Sequence, residues 1–190
     1  MDTTIDTSIG ASGAEPYATM PAPATVRIER ILPGPVERVW AYVTETDKRR
    51  KWLAEGPMDL RQGGAVALTF RNNGLSAETD RRDSSSSPNG VDHQMNGVIS
   101  RCDPPRLLVF SWGLDATASE VTFELSPHGG DTRILVTHRR LADRRQLLSV
   151  SAGWHVHIGI LMDLLSGAEP RSFWSQHARL EKVYSERFAE

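Results

Sequence analysis

The stretch ADRRQLLSVSAGWHVHIGILMDLLSG, residues 142–167, decides the fold. It contains no proline, and Leu147, Val150, Trp154, Ile158, Leu161 and Leu165 recur three or four residues apart, the spacing of one helix face. The pattern predicts an amphipathic helix of about five turns, longer than most helices of globular domains. Gly153 and Gly159 lie inside it, and their missing side chains allow a neighbour to approach closely. Such a helix needs an apolar surface to cover. The residues upstream, from Thr25 to Leu141, read as a sheet that the helix closes over like a lid, with a cavity between the two.

Thr25–Leu32 sets Val26, Ile28 and Arg30 on one side and Arg27, Glu29 and Ile31 on the other, an imperfect strand alternation. Pro33-Gly34-Pro35 stops it, and Pro35 suits the first turn of a helix over 35–45, where Val36, Val39, Trp40 and Val43 keep helical spacing. A second short helix is expected over 47–54, with Asp47 as N-cap and Lys48-Arg49-Arg50-Lys51 as a solvated face or, alternatively, a positive cluster that attracts an anionic ligand or an acidic partner. Strand candidates follow at 58–61, 65–71, 92–102, 106–112, 120–125 and 132–138. Gly63-Gly64 and His128-Gly129-Gly130-Asp131 supply hairpin chemistry, and Gly97 marks a bulge or bend. Consecutive strands with short turns form an antiparallel meander. The fold class is therefore α+β over residues 25–167: a curved antiparallel sheet of six to seven strands wrapped around a long C-terminal helix, with two short helices after the first strand. Residues 1–24 carry no Lys or Arg and little apolar surface and are expected to be a flexible tail. Residues 72–91, with their run of serines, are expected to be a mobile loop. Residues 168–190 form a helical extension in which Leu180, Val183 and Tyr184 share a side, either packing back on the domain or making a homodimer contact.

A chain of 190 residues with formal charge −2 lacks the excess of basic residues that general nucleic-acid binding favours. Its one cysteine, Cys102, forms no intrachain disulfide and fits a reducing compartment. The first ten residues hold no basic residue and no apolar run, so no signal peptide is read there, and the longest helix carries His155, His157 and Asp163, which argues against a membrane span. The expectation is a soluble, cytoplasmic protein.

In the order and spacing of its motifs the chain resembles the START-like helix-grip superfamily (SRPBCC), and within it the bacterial relatives of the activator of heat-shock-protein-90 ATPase. The likeness is carried by Pro35-Val36-Glu37-Arg38-Val39-Trp40, Asp47 with Lys51-Trp52, Gly63-Gly64, Gly97 followed by Pro104 and Leu107, and Phe110-Ser111-Trp112. Val121-Thr122-Phe123, Gly130-Asp131-Thr132, Thr137-His138 and Gly153-Trp154 with Leu164-Leu165 and Gly167 complete it. The connection at 72–91 and the extension past residue 167 depart from the family's pattern. The resemblance implies a helix-grip fold with a deep pocket between sheet and helix, binding of hydrophobic or amphipathic small molecules, and cyclase-like activity in some members. It also implies a chaperone ATPase as a partner, by analogy with the eukaryotic namesake.

His155 and His157 leave the helix about 200° apart and cannot chelate one metal. His155, one step past Trp154, is expected to face the cavity, and His157 to lie on the outer face. His138 shares a strand face with Ile134 and Val136 and is expected to enter the cavity, where it and His155 would orient a ligand or serve as a general acid or base. Trp52 on the short second helix is the candidate gate, Trp112 and Phe70 the candidate walls, and Trp154 the clamp. No nucleophile motif, phosphate-binding glycine loop or metal-ligand spacing accompanies these residues. Hence no catalytic residue, metal or cofactor is assigned. The leading reading is a domain that binds a small apolar or amphipathic molecule through Trp52, Phe70, Trp112, His138, Trp154 and His155. The alternatives are a co-chaperone-like stimulator of an ATPase and a cyclase- or hydrolase-like enzyme using the cavity histidines.

Overall fold

A computed structural model describes residues 16–75, 79 and 92–189. The chain runs β1 (Thr19–Ala22), β2 (Thr25–Leu32), α1 (Val36–Thr44), α2 (Thr46–Arg49), β3 (Ala65–Arg71), β4 (Asp92–Asp103), β5 (Leu107–Trp112), β6 (Ser119–His128), β7 (Asp131–Arg139), α3 (Arg144–Leu165) and α4 (Phe173–Arg187). The seven strands form one sheet in the order β1-β2-β7-β6-β5-β4-β3, every neighbouring pair antiparallel. The expected α+β helix-grip architecture is present: β3 to β7 is the meander, and β2 closes it against β7 through a continuous register from Thr25↔Arg139 to Leu32↔Thr132.

Alternation decides which side of the sheet is buried. Val26, Ile28 and Leu32 of β2, Val121, Phe123 and Leu125 of β6, and Leu108 and Phe110 of β5 all point into one core, shared with Leu147, Trp154, Ile158 and Leu161 of α3. Arg30 shares that inward face of β2 and is itself buried; its Nη1 donates to the Glu29 carbonyl. Asp143 caps α3 by accepting from the Gln146 N–H at 2.7 Å.

The helix differs from the expected amphipathic lid. From Ser151 to Leu161 every residue but Gly153 is buried, on both faces. The cause is α4, which packs antiparallel to α3 with Phe173, His177, Leu180 and Tyr184 as its buried stripe. Arg144 at the start of α3 donates to the Ser185 and Phe188 carbonyls at the end of α4, and Arg171 grips Asp163 through two bonds of 2.7 Å. By length and composition α3 would suit a membrane span, but most of it is buried inside the domain.

Several local expectations change. Part of the expected N-terminal tail is structured: residues 19–22 form an edge strand, and Ala18 is buried; residues 1–15 lie outside the described residues. Of the expected loop, Asn72–Leu75 form a single 3-10 turn, and 76–91 lie outside the described residues apart from position 79. The second short helix spans only Thr46–Arg49. Its basic run is not one solvated face: Arg49 is fully buried and donates to the carbonyls of Val43, Thr44 and Gly56, joining the end of α1 to the chain that leads into β3. Burial lowers its pKa to about 10, still well above neutrality, so the cation is held by carbonyl dipoles without a carboxylate. The bulge of β4 lies between Ile99 and Arg101, while Gly97 stays in register with Val66; a Cβ at Gly97 would lie 1.9 Å from the Ser111 carbonyl oxygen.

Candidate functional site

Where the last turn of β3, the start of β4 and the ends of β5 and β7 meet α3 and α4, the packing leaves a cavity of about 370 Å³. That is the size range of small-molecule sites. Its walls are aromatic: Phe70, Trp112, Trp154, Phe173 and Trp174 line it. Phe70 and Trp112 lie with ring centroids 5.3 Å apart, and Trp112 meets Trp154 edge-on at 6.0 Å. Its polar groups are His93, His138, His157, His177, Asn72, Gln146, Ser149 and Glu181.

The protonation of two histidines follows from their partners. The Trp154 indole N–H, which can only donate, points at His138 Nδ1 at 3.2 Å, so Nδ1 carries the lone pair. The neutral ring then bears its proton on Nε2 and donates to Ser119 Oγ at 2.8 Å. Burial pushes the His138 pKa down to about 3, in keeping with a neutral ring. Both nitrogens are thus engaged inside the protein, which does not suit a proton shuttle.

His157 is fixed differently. Its Nδ1 lies 2.6 Å from the Trp52 carbonyl oxygen, which can only accept, so Nδ1 holds the proton. Burial, opposed by that hydrogen bond and aided by nearby His177, lowers its pKa to about 4. The neutral ring therefore presents Nε2 as an acceptor, and among the described residues nothing hydrogen-bonds to it. His157 packs on Phe173 with centroids 4.8 Å apart, and Phe173 stacks on His177 at 5.5 Å. His177 Nδ1 lies 3.7 Å from Glu181 Oε2, beyond hydrogen-bond range. Trp174 ties α4 to the turn after β3 by donating to Asn73 Oδ1 at 2.7 Å.

The structure brings together four of the six residues singled out from the sequence: Phe70, Trp112, His138 and Trp154 line one cavity. The other two are elsewhere. Trp52 is no gate: it is fully buried, its indole N–H donates to the Tyr42 carbonyl at 2.9 Å, and its own carbonyl positions His157. His155 faces away from the cavity. Its Nδ1 pairs with the Tyr184 hydroxyl at 2.8 Å, and that hydroxyl accepts from the Ala18 N–H at 2.8 Å. Tyr17 packs edge-on against both rings, and Arg187 lies 4.4 Å above the Tyr17 ring. The assignment of cavity and outer faces to the two α3 histidines is therefore reversed. A signal for His157 was present: it lies three residues after Trp154 and four after Gly153, on their helix face, whereas His155 is rotated by about 100° from Trp154. Gly153 also differs from the expectation, since a Cβ there would meet nothing within 4 Å and would enter the cavity. Gly159 does serve close approach: a Cβ would come within 2.6 Å of the Arg171 guanidinium. Among the described residues no cluster of three or more His, Cys, Asp or Glu is placed to hold a metal ion.

Comparison with solved structures supports the architecture. A protein encoded by gene BPP1335 of Bordetella parapertussis, solved by NMR, is 38% identical, with a TM-score of 0.70 over 88% of this chain and 87% of its own. CalU16 from Micromonospora echinospora is 23% identical in its crystal structure, with a TM-score of 0.62 over 85% of this chain and 86% of its own. DynU16, from the dynemicin biosynthetic locus, is 20% identical, with a TM-score of 0.57 over 80% of this chain and 51% of its own. The latter two likenesses concern the fold alone. A search among curated proteins gave no match. The family described as activator of Hsp90 ATPase homolog 1-like protein matches residues 33–166, from the turn after β2 to the end of α3, and the chain belongs to that family.

Proposed function

We propose that this chain is a binding domain for a small apolar or amphipathic molecule held in the aromatic cavity between the sheet, α3 and α4. One observation carries the reading: about 370 Å³ of space borders Phe70, Trp112, Trp154 and Phe173, where the hydrophobic core meets α4. Sites of this kind take up the body of a ligand by burying apolar surface and orient it with a few polar groups. Here His157 Nε2 offers an acceptor, while His138, locked between Trp154 and Ser119, contributes shape rather than proton transfer. A binding role without chemistry of its own fits that arrangement better than an acid–base role for the histidines.

The test is a titration with the neutral dye Nile red, whose emission rises in apolar surroundings. The wild-type chain is expected to bind it saturably. Gly153→Phe, which places a ring in open space from a helical position, is expected to lose at least about 90% of the signal while keeping the fold, as checked by circular dichroism. Absence of saturable binding, or a Gly153→Phe variant that binds like wild type, would overturn the reading.

A further inference from the structure

The charge of the cavity points to a narrower ligand class. Among the described residues no Lys or Arg lines it, and Glu181 is the only carboxylate that does. Arginines of the neighbouring elements are engaged elsewhere: Arg71 with Glu55 and Asp92, Arg139 and Arg140 with Glu120, Arg144 with the carbonyls ending α4. His157, only 6% exposed, offers the lone pair of Nε2 and no proton. On the α4 side of the cavity the protein therefore offers an acceptor and a negative charge. Phe70, Trp112 and Trp154 supply an aromatic wall as well.

We propose, resting on the ligand-binding reading above, that the cavity selects ligands that join an apolar aromatic body to a protonated amine. The body packs among Phe70, Trp112 and Trp154. The ammonium lies on the α4 side, donating to His157 Nε2 and attracted to Glu181 and to the Trp174 ring. Each contribution is modest by itself: a cation over aromatic faces and a half-exposed carboxylate together correspond to about a five- to tenfold preference over an uncharged ligand of the same shape. Among the described residues an anion would meet no lysine or arginine in the cavity, only the field of Glu181.

Three probes of one shape decide the matter by isothermal titration calorimetry with the full chain at pH 7.5 and low salt: naphthylethylamine, naphthylethanol and naphthylacetate. The amine is expected to bind about five- to tenfold more tightly than the alcohol, and the acetate most weakly. In Glu181→Gln, a near-isosteric change at a partly exposed position, the advantage of the amine should fall to about twofold or less. In Glu181→Lys the order of amine and acetate should reverse. Binding of all three with equal affinity, or the same order in Glu181→Lys as in wild type, would overturn the proposal while leaving the cavity reading intact. Failure of all three to bind, together with Nile red, would overturn both.

Discussion

His155 and His157 stand two residues apart on α3 and serve two unlike regions. His155 belongs to a closed seam, where α3, α4 and the segment before β1 meet. There the Tyr184 hydroxyl joins His155 to the Ala18 N–H, and burial raises the tyrosine's pKa. His157 belongs to a cavity wall, where one nitrogen is fixed by the Trp52 carbonyl and the other has no hydrogen bond among the described residues. In the seam, polar groups satisfy one another, and the result is attachment of α4 and the N-terminal strand to the core. At the cavity, the rings of Phe70, Trp112 and Trp154 pack on one another and border open space. The same helix thus supplies a closed seam and a cavity wall, and the helical turn of about 100° per residue is what separates them.

Acid should break this comparison most strongly from the cavity side. The folded-state pKa values of His138 and His157 are lowered to about 3 and about 4, below the ordinary 6.5. As pH falls below 6.5 the unfolded chain takes up protons that the folded chain refuses, so stability present at neutral pH is lost toward pH 4. Urea unfolding between pH 5.5 and 4.5 should show a slope approaching about 2.7 kcal/mol per pH unit from these two groups, and about half that in His138→Gln. A slope unchanged by His138→Gln would mean that the ring is not held neutral.

The next largest effect lies in the seam. Tyr184→Phe removes one hydroxyl and leaves both the Ala18 N–H and His155 Nδ1 without that partner. It should cost about 2–3 kcal/mol of stability by urea denaturation, with Nile red affinity unaltered. A loss of dye binding equal to that of Gly153→Phe would show that seam and cavity are not separable.

The smallest contrast uses the two glycines of α3. Gly153→Ala places a methyl in open space and improves helix propensity, so it should raise stability by about 0.5–1 kcal/mol. Gly159→Ala pushes the Arg171 guanidinium away from Asp163 and should lower stability by about 1 kcal/mol despite the same gain in propensity. Thermal unfolding of the two variants side by side should move the midpoint in opposite directions. Movement in the same direction would remove the distinction between a cavity-facing and a packed position.

Much of this molecule was legible because its signals are local. The alternation of Val121, Phe123 and Leu125, the turn at Gly129-Gly130 and the helical recurrence from Leu147 to Leu165 each depend on a few consecutive residues, and all three appear in the structure. The aromatic wall was legible for a related reason: Phe70, Trp112 and His138 lie near strand ends, so their inward faces and their common end of the sheet follow from strand parity and meander order. Trp52 reads as a gate from its place on the short second helix, but that helix ends at Arg49 and Trp52 is fully buried, its indole N–H bonded to the Tyr42 carbonyl.

The sequence by itself determined the class of the fold, the extent of the long helix and four of the six residues proposed to meet at one site. Periodicity and turn chemistry act within one element, and a chain carries them wherever that element is placed. Only the tertiary structure decided that the outer face of α3, around His155, is buried as well. That burial depends on α4 and on residues 17–18, which arrive from opposite ends of the chain to cover it. With both faces of α3 covered, the polarity of a position no longer reveals its direction; the partner that meets each nitrogen does.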